Sequence, residues 1–255
     1  MQPFCNCIIH LMKYTIELFE TLKSTNQYLE SLEPTPDEGR VIRAINQTGG
    51  VGQQGNVWKS EADKNLTFSI LLKPTFLSIP DRFMLTKAIS LAMVDYLRTV
   101  LPNSFVSIKW PNDIYVGKDK IGGMLIYNKF RGMSFNSSVV GIGFNVNQTL
   151  FSRDIPNPTS LKIITAKDYD LPTELTKICD SISVRYEELR NGNHAKLDKE
   201  YLENLLYLGQ EREYYYKEKP LVATIEGVNK EGMLLLNTSD NKQIICDLKE
   251  LKFIH

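Results

Sequence analysis

A glycine-rich stretch at residues 49–55, with the sequence GGVGQQG, most constrains how this chain can fold. It follows a predicted strand at residues 41–47, and residues 56–72 read as loop and strand rather than helix. A P-loop is excluded because no Gly-Lys-Ser/Thr follows, and a dinucleotide-binding fingerprint is disfavoured because it requires a helix next. The glycines free backbone amides for a close approach to an anion, and an ordinary flexible loop is the alternative.

The order of the predicted elements places the chain in the α+β class. Strand patterns occur at residues 14–22, 41–47, 66–72, 106–110, 113–116, 121–127 and 138–145. Turn signals separate the later strands at residues 117–119, 128–133 and 136–137. Helical patterns cover residues 78–100, 171–190 and 195–207, and Ser24 opens a short helix with a capping box. After Gly209, short strands at hairpin spacing (residues 221–227, 233–237 and 243–247) predict a small β-barrel. Strands, then helices, then a barrel favour α+β over a doubly wound sheet.

Composition and charge exclude several functional classes. The 30 basic and 30 acidic side chains cancel, which argues against a strongly basic nucleic-acid binder. The 4 cysteines lack zinc-site spacing and indicate free thiols in a reducing cytoplasm, with Cys5-x-Cys7 as an alternative redox or metal pair. The 3 histidines are scattered and support no metal site or triad.

The apolar run at residues 8–12 is too short for a membrane span or a signal peptide, so we expect a cytoplasmic protein.

Polar segments between these elements carry the residues with functional chemistry. Trp58 ends the glycine-rich stretch, and Trp110 lies in the segment KWPND at residues 109–113. An indole beside a glycine loop can cover an aromatic base. The Lys120 ammonium can meet phosphate or carboxylate oxygens, and the asparagines of residues 141–147 (GIGFNVN) suit a nucleotide or Mg²⁺. The alternatives are core packing for the tryptophans, a solvated lysine, and asparagines that only turn the chain.

Five segments, in order, resemble those of the biotin protein ligases. They are Ser24-Thr25-Asn26, the stretch from Gln47 to Trp58, KWPND at residues 109–113, Lys120-Ile121-Gly122-Gly123, and GxGxNxN at residues 141–147. Each motif is weak alone, but the ordered set is specific, and the resemblance covers about residues 14–255. It implies a mixed β-sheet catalytic domain of the class II aminoacyl-tRNA synthetase and biotin ligase type over residues 1–208. A small SH3-like β-barrel is expected over residues 209–255.

The resemblance implies an ATP-dependent ligase. Such an enzyme activates biotin as biotinyl-5′-AMP with release of pyrophosphate, uses Mg²⁺ with ATP, and transfers biotin to one lysine of a biotin carboxyl carrier protein. Two alternatives stay open: a lipoate-protein ligase or octanoyltransferase of the same fold, and a degenerate, non-enzymatic biotin-binding protein. Some family members carry an N-terminal DNA-binding domain, but 23 residues before Ser24 are too few for one, so we expect no DNA binding. A monomer and a homodimer both fit the sequence.

The resemblance also assigns roles to individual residues. Those expected to bind biotin are Ser24, Thr25, Asn26, Gln47, Gly50, Val51, Gly52, Gln53, Lys120 and Gly123. Those expected to bind the nucleotide are Gln54, Gly55, Asn56, Trp58, Lys109, Asn112, Asp113 and Asn145. Lys120 and Lys109 are the expected catalytic residues, because the attack of a carboxylate on a phosphate brings two anions together. Asp113 and Asn145 are the candidate Mg²⁺ ligands.

The glycine-rich stretch departs from the family pattern at one important position. The family sequence usually reads Gly-Arg-Gly-Arg/Gln-x-Gly, whereas this chain has Val51 at the first arginine position and Gln53 at the second. Gln53 is an ordinary variant, but Val51 removes a cation that is expected to clamp the phosphate. One charge-assisted contact is worth about 1.5–3 kcal/mol. We therefore expect Val51 to weaken nucleotide binding.

Overall fold

The computed structural model describes residues 11–132 and 134–254, so the Cys5-x-Cys7 pair and most of the apolar run at residues 8–12 lie outside the described residues. Within those ranges, no helix is long and apolar enough to cross a membrane. The same ranges contain no group of three or more His, Cys, Asp and Glu side chains that could hold a metal ion. Cys179 and Cys246 are buried free thiols, as the sequence predicts.

A seven-stranded mixed sheet forms the centre of the molecule. Its strands are β1 (Thr15–Leu22), β2 (Arg40–Gln47), β3 (Leu66–Leu72), β4 (Val106–Lys109), β5 (Asp113–Val116), β6 (Asp119–Arg131) and β7 (Ser134–Phe144). They lie in the order β1-β2-β3-β7-β6-β5-β4, and β1 and β2 are parallel whereas the other neighbours are antiparallel. The predicted α+β class with a mixed sheet is confirmed.

Helices cover both faces of this sheet. They are α1 (Thr25–Ser31), α2 (Phe83–Val100), α3 (Leu161–Thr165), α4 (Leu171–Arg190) and α5 (His194–Glu203). Leu29 of α1 packs with Ile42 and Leu71 on one face, whereas Val41 and Ile70 enter the core formed with α2 and α4 on the other. Because successive strand residues point to opposite faces and both faces are covered, β3 is buried along its whole length.

Several element boundaries differ from the sequence-based predictions. The turns predicted at residues 128–133 and 136–137 are largely strand, because β6 and β7 form one long hairpin in which the rings of Phe130 and Phe135 pack 4.9 Å apart. The helix predicted over residues 195–207 ends at Glu203, since the following residues hydrogen-bond to Ile108 on β4.

A second, five-stranded antiparallel sheet follows the helices. Its strands are β8 (Glu211–Tyr216), β9 (Lys219–Val228), β10 (Leu234–Thr238), β11 (Gln243–Cys246) and β12 (Leu251–Phe253). The sequence predicted β9, β10 and β11 but missed β8 and β12. The strand order is β11-β10-β9-β8-β12, so the described pairs leave two edges, and closure into an SH3-like barrel stays a prediction.

This C-terminal sheet packs directly on the main sheet. Tyr214 and Ile225 belong to the same buried apolar cluster as the α2 and α4 side chains. The indole N–H of Trp110 donates a hydrogen bond of 2.9 Å to the Gly232 carbonyl. Gly232 has φ of +94°, and a side chain there would overlap the ring of Phe83. The sheet is therefore fixed beside the KWPND segment, and the predicted domain boundary at residue 209 stays a prediction.

Candidate active site

A cavity of about 550 Å³ opens on the α1 side of the main sheet. It lies between α1, the glycine-rich loop (residues 49–58), the KWPND segment and the C-terminal sheet. The predicted site residues that line it are Ser24, Thr25, Asn26, Gln47, Val51, Gly52, Gln53, Asn56, Trp58, Lys109, Asn112, Asp113, Lys120 and Gly123. Segments that are far apart in the sequence thus converge on one site.

Three predicted residues lie outside this lining. Gly50 is under Trp58, where a side chain would overlap the Trp58 carbonyl, and Gly55 ends a short turn with φ of +84°. The Asn145 side-chain amide donates to the Thr159 carbonyl at 3.0 Å, which supports its alternative role in strand geometry. Binding of a nucleotide or Mg²⁺ by Asn145 stays a prediction. The side chain of Gln54 lies outside the described part of the structure.

Neutral polar side chains gather at one end of the cavity. The Gln47 side-chain oxygen accepts hydrogen bonds from the Thr25 backbone amide at 2.9 Å and from the Thr25 hydroxyl at 3.2 Å. The Ser69 hydroxyl on β3 lies 2.7 Å from the Thr25 hydroxyl and 2.5 Å from the Asn26 side-chain oxygen. Ser24 begins α1 as its N-cap and accepts from the backbone amide of Gln27, as predicted. These groups form a fixed set of hydrogen-bonding partners.

Two glycines of β7 make room for the side chains above them. A side chain at position 141 would overlap the Asn26 amide, and one at position 143 would overlap the Trp58 indole. The GxG pattern of this strand therefore has a steric cause: Gly141 leaves room for the Asn26 amide at the polar end of the cavity, and Gly143 leaves room for the Trp58 indole. Sequence analysis assigned no ligand to either glycine.

Charged side chains occupy the other end of the cavity. The Lys120 ammonium forms an ion pair of 2.7 Å with Asp113 and lies 5.6 Å from the centre of a Trp58 ring. The Lys109 ammonium lies 4.8 Å from the ring centre of Phe253 and 5.4 Å from that of Tyr115. Two cations and an indole beside a polar pocket suit a ligand that combines an aromatic base with anionic groups.

The surroundings of Lys109 destabilise its charged form relative to a lysine in water. Burial lowers the pKa of Lys109 to about 8, and the charge of Lys120 acts in the same direction. The carboxylate of Asp113 raises the pKa and only partly offsets burial. An anionic ligand placed beside this amine would favour the ammonium form.

The glycine-rich loop forms a small hairpin over the cavity. Val51 bridges Val57, and the backbone amide of Gly52 donates to the Asn56 carbonyl at 2.7 Å. The backbone amide of Trp58 donates to the Gly50 carbonyl at 3.0 Å. The indole nitrogen of Trp58 is buried and has no hydrogen-bond partner among the described residues. The hairpin thus carries an indole N–H donor, and it has no basic side chain.

The donor set suits Mg²⁺ that arrives with a polyphosphate. Among the described residues that line the cavity, Asp113 is the single carboxylate, and it is paired with Lys120. The Asn112 amide donates to the Met124 carbonyl and is therefore engaged in the structure of the site. Mg²⁺ commonly binds through one or two carboxylates together with substrate phosphates and waters, and this set matches that mode.

Sequence reasoning missed parts of this site. Ser69 joins the polar cluster from the middle of an apolar strand, and a buried hydroxyl in such a strand was the available signal, because it needs a partner. Leu251, Lys252 and Phe253 of β12 line the opposite wall. Their segment was not predicted as a strand, so no local signal pointed to them.

Comparisons with known proteins agree with this fold. The model of the biotin/lipoate A/B protein ligase family matches residues 18–145, and the chain belongs to this family. Biotin protein ligase from Aquifex aeolicus in complex with biotin and ATP has a TM-score of 0.77 and 27% identity, over 94% of this chain and 98% of that one.

Curated relatives extend this similarity over most of the chain. The bifunctional ligase/repressor BirA of Bacillus subtilis (strain 168) is 25% identical over 236 residues, which cover 91% of this chain and 70% of the relative. The biotin--[acetyl-CoA-carboxylase] ligase of Paracoccus denitrificans is 24% identical over 87% of this chain and 94% of its own length. The resemblance to biotin protein ligases is confirmed.

Proposed function

We propose that this protein is an ATP-dependent biotin protein ligase that activates biotin as biotinyl-5′-AMP and transfers it to a lysine of a biotin carrier domain. The observation that carries the proposal is one cavity with neutral hydrogen-bonding side chains at one end and two lysines beside an indole at the other. The relatives named as biotin ligases and the neighbour with bound biotin and ATP support the same substrates.

The polar end of the cavity suits the ureido ring of biotin. A urea offers two N–H donors and one carbonyl acceptor, and the hydroxyl of Thr25 and the amides of Asn26 and Gln47 can satisfy both kinds. The Ser69 contacts keep Thr25 and Asn26 in place before the ligand binds. Ser24, Val51, Gly52, Gln53 and Gly123 complete the proposed biotin site along the cavity wall.

The charged end suits the reacting groups of the first step. An oxygen of the biotin carboxylate attacks the α-phosphorus of ATP, and the bond to the β-phosphate breaks to release pyrophosphate. Lys120 neutralises negative charge on the biotin carboxylate and the α-phosphate, and Lys109 neutralises negative charge on the ATP phosphates. Trp58 covers the adenine, while Asn56, Asn112 and Asp113 line the nucleotide side. Binding of the nucleotide by the loop residues Gln54 and Gly55 stays a prediction.

Mg²⁺ enters this proposal as the partner of the ATP phosphates. Asp113 would contact it, and the ion would neutralise phosphate charge during the first step. In the second step, the amine of the acceptor lysine attacks the acyl carbon of the adenylate, an amide bond forms, and AMP leaves. The glycine-rich loop excludes water from the adenylate until the acceptor arrives.

The test is incubation of the protein with biotin, Mg-ATP and a biotin carboxyl carrier domain. Biotin-dependent release of pyrophosphate reports the first step, and streptavidin blotting of the carrier reports the second. A carrier domain whose acceptor lysine is replaced by arginine is the control. Pyrophosphate release without carrier labelling would limit the function to adenylate formation.

The alternative substrate is lipoate, which the family name includes. A lipoyl chain lacks a ureido group, so the polar cluster around Thr25 and Gln47 would have no matching partner, and biotin is favoured. Competition between free biotin and free lipoate for adenylate formation separates the two. Absence of pyrophosphate release with either acid would instead favour a non-enzymatic binding protein.

A further inference from the structure

The last described strand places an aromatic ring against a cation of the candidate active site. Phe253 on β12 lines the cavity, and its ring centre lies 4.8 Å from the Lys109 ammonium. Tyr115 on β5 flanks the same ammonium with its ring centre at 5.4 Å. Lys109 on β4 therefore lies beside two aromatic rings, one from each sheet of the molecule.

The ring of Phe253 is itself fixed by the C-terminal sheet. Phe253 is paired with Tyr214 on β8, and their rings meet edge to face with centres 5.4 Å apart. Tyr214 is fully buried in the main apolar cluster. An edge-to-face contact with the buried ring of Tyr214 restricts the movement of the half-buried Phe253 ring, whose face is directed toward Lys109.

We propose that Phe253 is a positioning residue for nucleotide binding, which holds the Lys109 ammonium toward the ATP phosphates through the face of its ring. The C-terminal sheet thereby contributes to the affinity for ATP through the ring of Phe253. This inference rests on the proposed ligase function for the identity of the ligand.

An aromatic face suits this task better than a carboxylate would. A carboxylate bound directly to the Lys109 ammonium would offset much of the positive charge that the phosphates meet, whereas a ring attracts the ammonium and leaves its net charge intact. Lys120 already has the carboxylate partner, Asp113, at 2.7 Å. Lys109 lies between the rings of Phe253 and Tyr115, with its ammonium 3.4 Å from the Tyr115 hydroxyl, and the charge of Asp113 also acts on it.

The test compares variants that keep or remove the aromatic face. Phe253→Leu and Phe253→Met keep an apolar side chain without a ring, and Phe253→Tyr keeps the ring. The probe for binding is magnesium α,β-methylene-ATP, which cannot be cleaved between its α- and β-phosphates, titrated by calorimetry in saturating biotin. We expect Phe253→Leu to weaken binding about fivefold and Phe253→Tyr to stay near the parent. Thermal unfolding checks that each variant folds. If Phe253→Leu does not fold, Phe253→Met is used in its place.

A double-mutant cycle tells positioning from simple packing. If Phe253 acts through Lys109, Phe253→Leu has no further effect on nucleotide binding in the Lys109→Met background. The same loss in both backgrounds would overturn the proposal, as would parent-like binding by Phe253→Leu. Phe105→Leu, which removes an exposed ring outside the cavity, is the control.

Turnover measurements keep this proposal distinct from the ligase function. The KM for ATP in biotin-dependent pyrophosphate release should rise in Phe253→Leu, while kcat changes little. A parent that binds the nucleotide but releases no pyrophosphate contradicts the ligase function and leaves the Phe253 test valid. If the parent ligates biotin normally and Phe253→Leu binds the nucleotide as the parent does, only the positioning role is contradicted.

Discussion

Gly143 lies under the indole of Trp58, and only a hydrogen atom fits between the strand and the ring. We expect Gly143→Ala to displace Trp58 and to raise the KM for ATP about tenfold, since an aromatic ring stacked on a base contributes about 1–3 kcal/mol. Tryptophan fluorescence and pyrophosphate-release kinetics measure both effects. The control is Gly227→Ala, where the new methyl group would meet only Leu202, at 3.8 Å. Equal kinetics for the two variants would contradict the assignment of Trp58 to the nucleotide.

Lys120 is the cation whose loss should lower the rate of adenylate formation most. It lies beside both Asp113 and Trp58, where the carboxylate and the α-phosphate are proposed to meet. We expect Lys120→Ala to lower the rate of biotin-dependent pyrophosphate release about a hundredfold or more, as for loss of one preorganised charge contact. Lys118→Ala, at an exposed position of the same hairpin, is the matched control. A folded Lys120→Ala variant with nearly parental activity would refute this role.

The pKa of Lys109 predicts a pH dependence of nucleotide capture. Burial lowers this pKa to about 8, so the free protein carries the ammonium below that pH and loses it as the pH rises through 8. We therefore expect kcat/KM for ATP to fall above pH 8, because this quantity reports ionisations of the free enzyme. In Lys109→Arg the side chain stays charged, and the decline should move to higher pH. Identical profiles for parent and variant would exclude Lys109 as the titrating group.

Val51 offers a gain-of-charge experiment at the mouth of the site. It lines the cavity at the position where the family pattern usually has arginine. We expect Val51→Arg to keep activity and to lower the KM for ATP roughly tenfold, the effect of a charge-assisted contact worth about 1.5 kcal/mol. Val222→Arg adds the same charge to an exposed position on β9 and should leave the KM unchanged. A loss of activity in Val51→Arg would show that the hairpin needs the Val51–Val57 bridge more than a cation.

Ser69 should affect biotin rather than ATP. The Ser69 hydroxyl contacts both Thr25 and Asn26. Removal of this hydroxyl leaves the Thr25 hydroxyl and the Asn26 side-chain oxygen each with one hydrogen-bonding partner fewer. We expect Ser69→Ala to raise the KM for biotin about fivefold, the effect of one lost hydrogen bond, with an unchanged KM for ATP. Ser138→Ala removes another buried serine hydroxyl, which bonds to Asn128 instead. Parallel changes in both KM values would indicate a general loss of structure.

Local patterns predicted much of the site because the residues lie in short motifs with distinct chemistry. Lys120, Trp58 and the Ser24-Thr25-Asn26 segment could be nominated without tertiary information, and all of them line the cavity. Asn145 was nominated on the same basis but lies outside the lining. An asparagine at a strand end looks the same in sequence whether its amide bonds to a ligand or, as here, to a backbone carbonyl.

Contacts between distant segments account for most of what the sequence could not reveal. Ser69 acquires its role only when β3 lies under α1, and Phe253 only when β12 reaches β4. The turn predicted at residues 128–133 was too long for a related reason: residues 128–131 are strand, and Gly132 is turn. Polar turn formers there are overridden by cross-strand pairing along the β6–β7 hairpin, which is a tertiary preference rather than a local one.

The hydrogen bond from Trp110 to Gly232 joins residues 122 positions apart in the chain. Contacts of such long sequence separation form slowly, because a large loop must close before any energy is gained. We therefore expect the wall of the cavity that contains β12 to assemble late during folding, after the hairpins of the main sheet. A refolding molecule would acquire its secondary structure first and its affinity for nucleotide last, so recovery of ATP binding should lag behind recovery of circular dichroism.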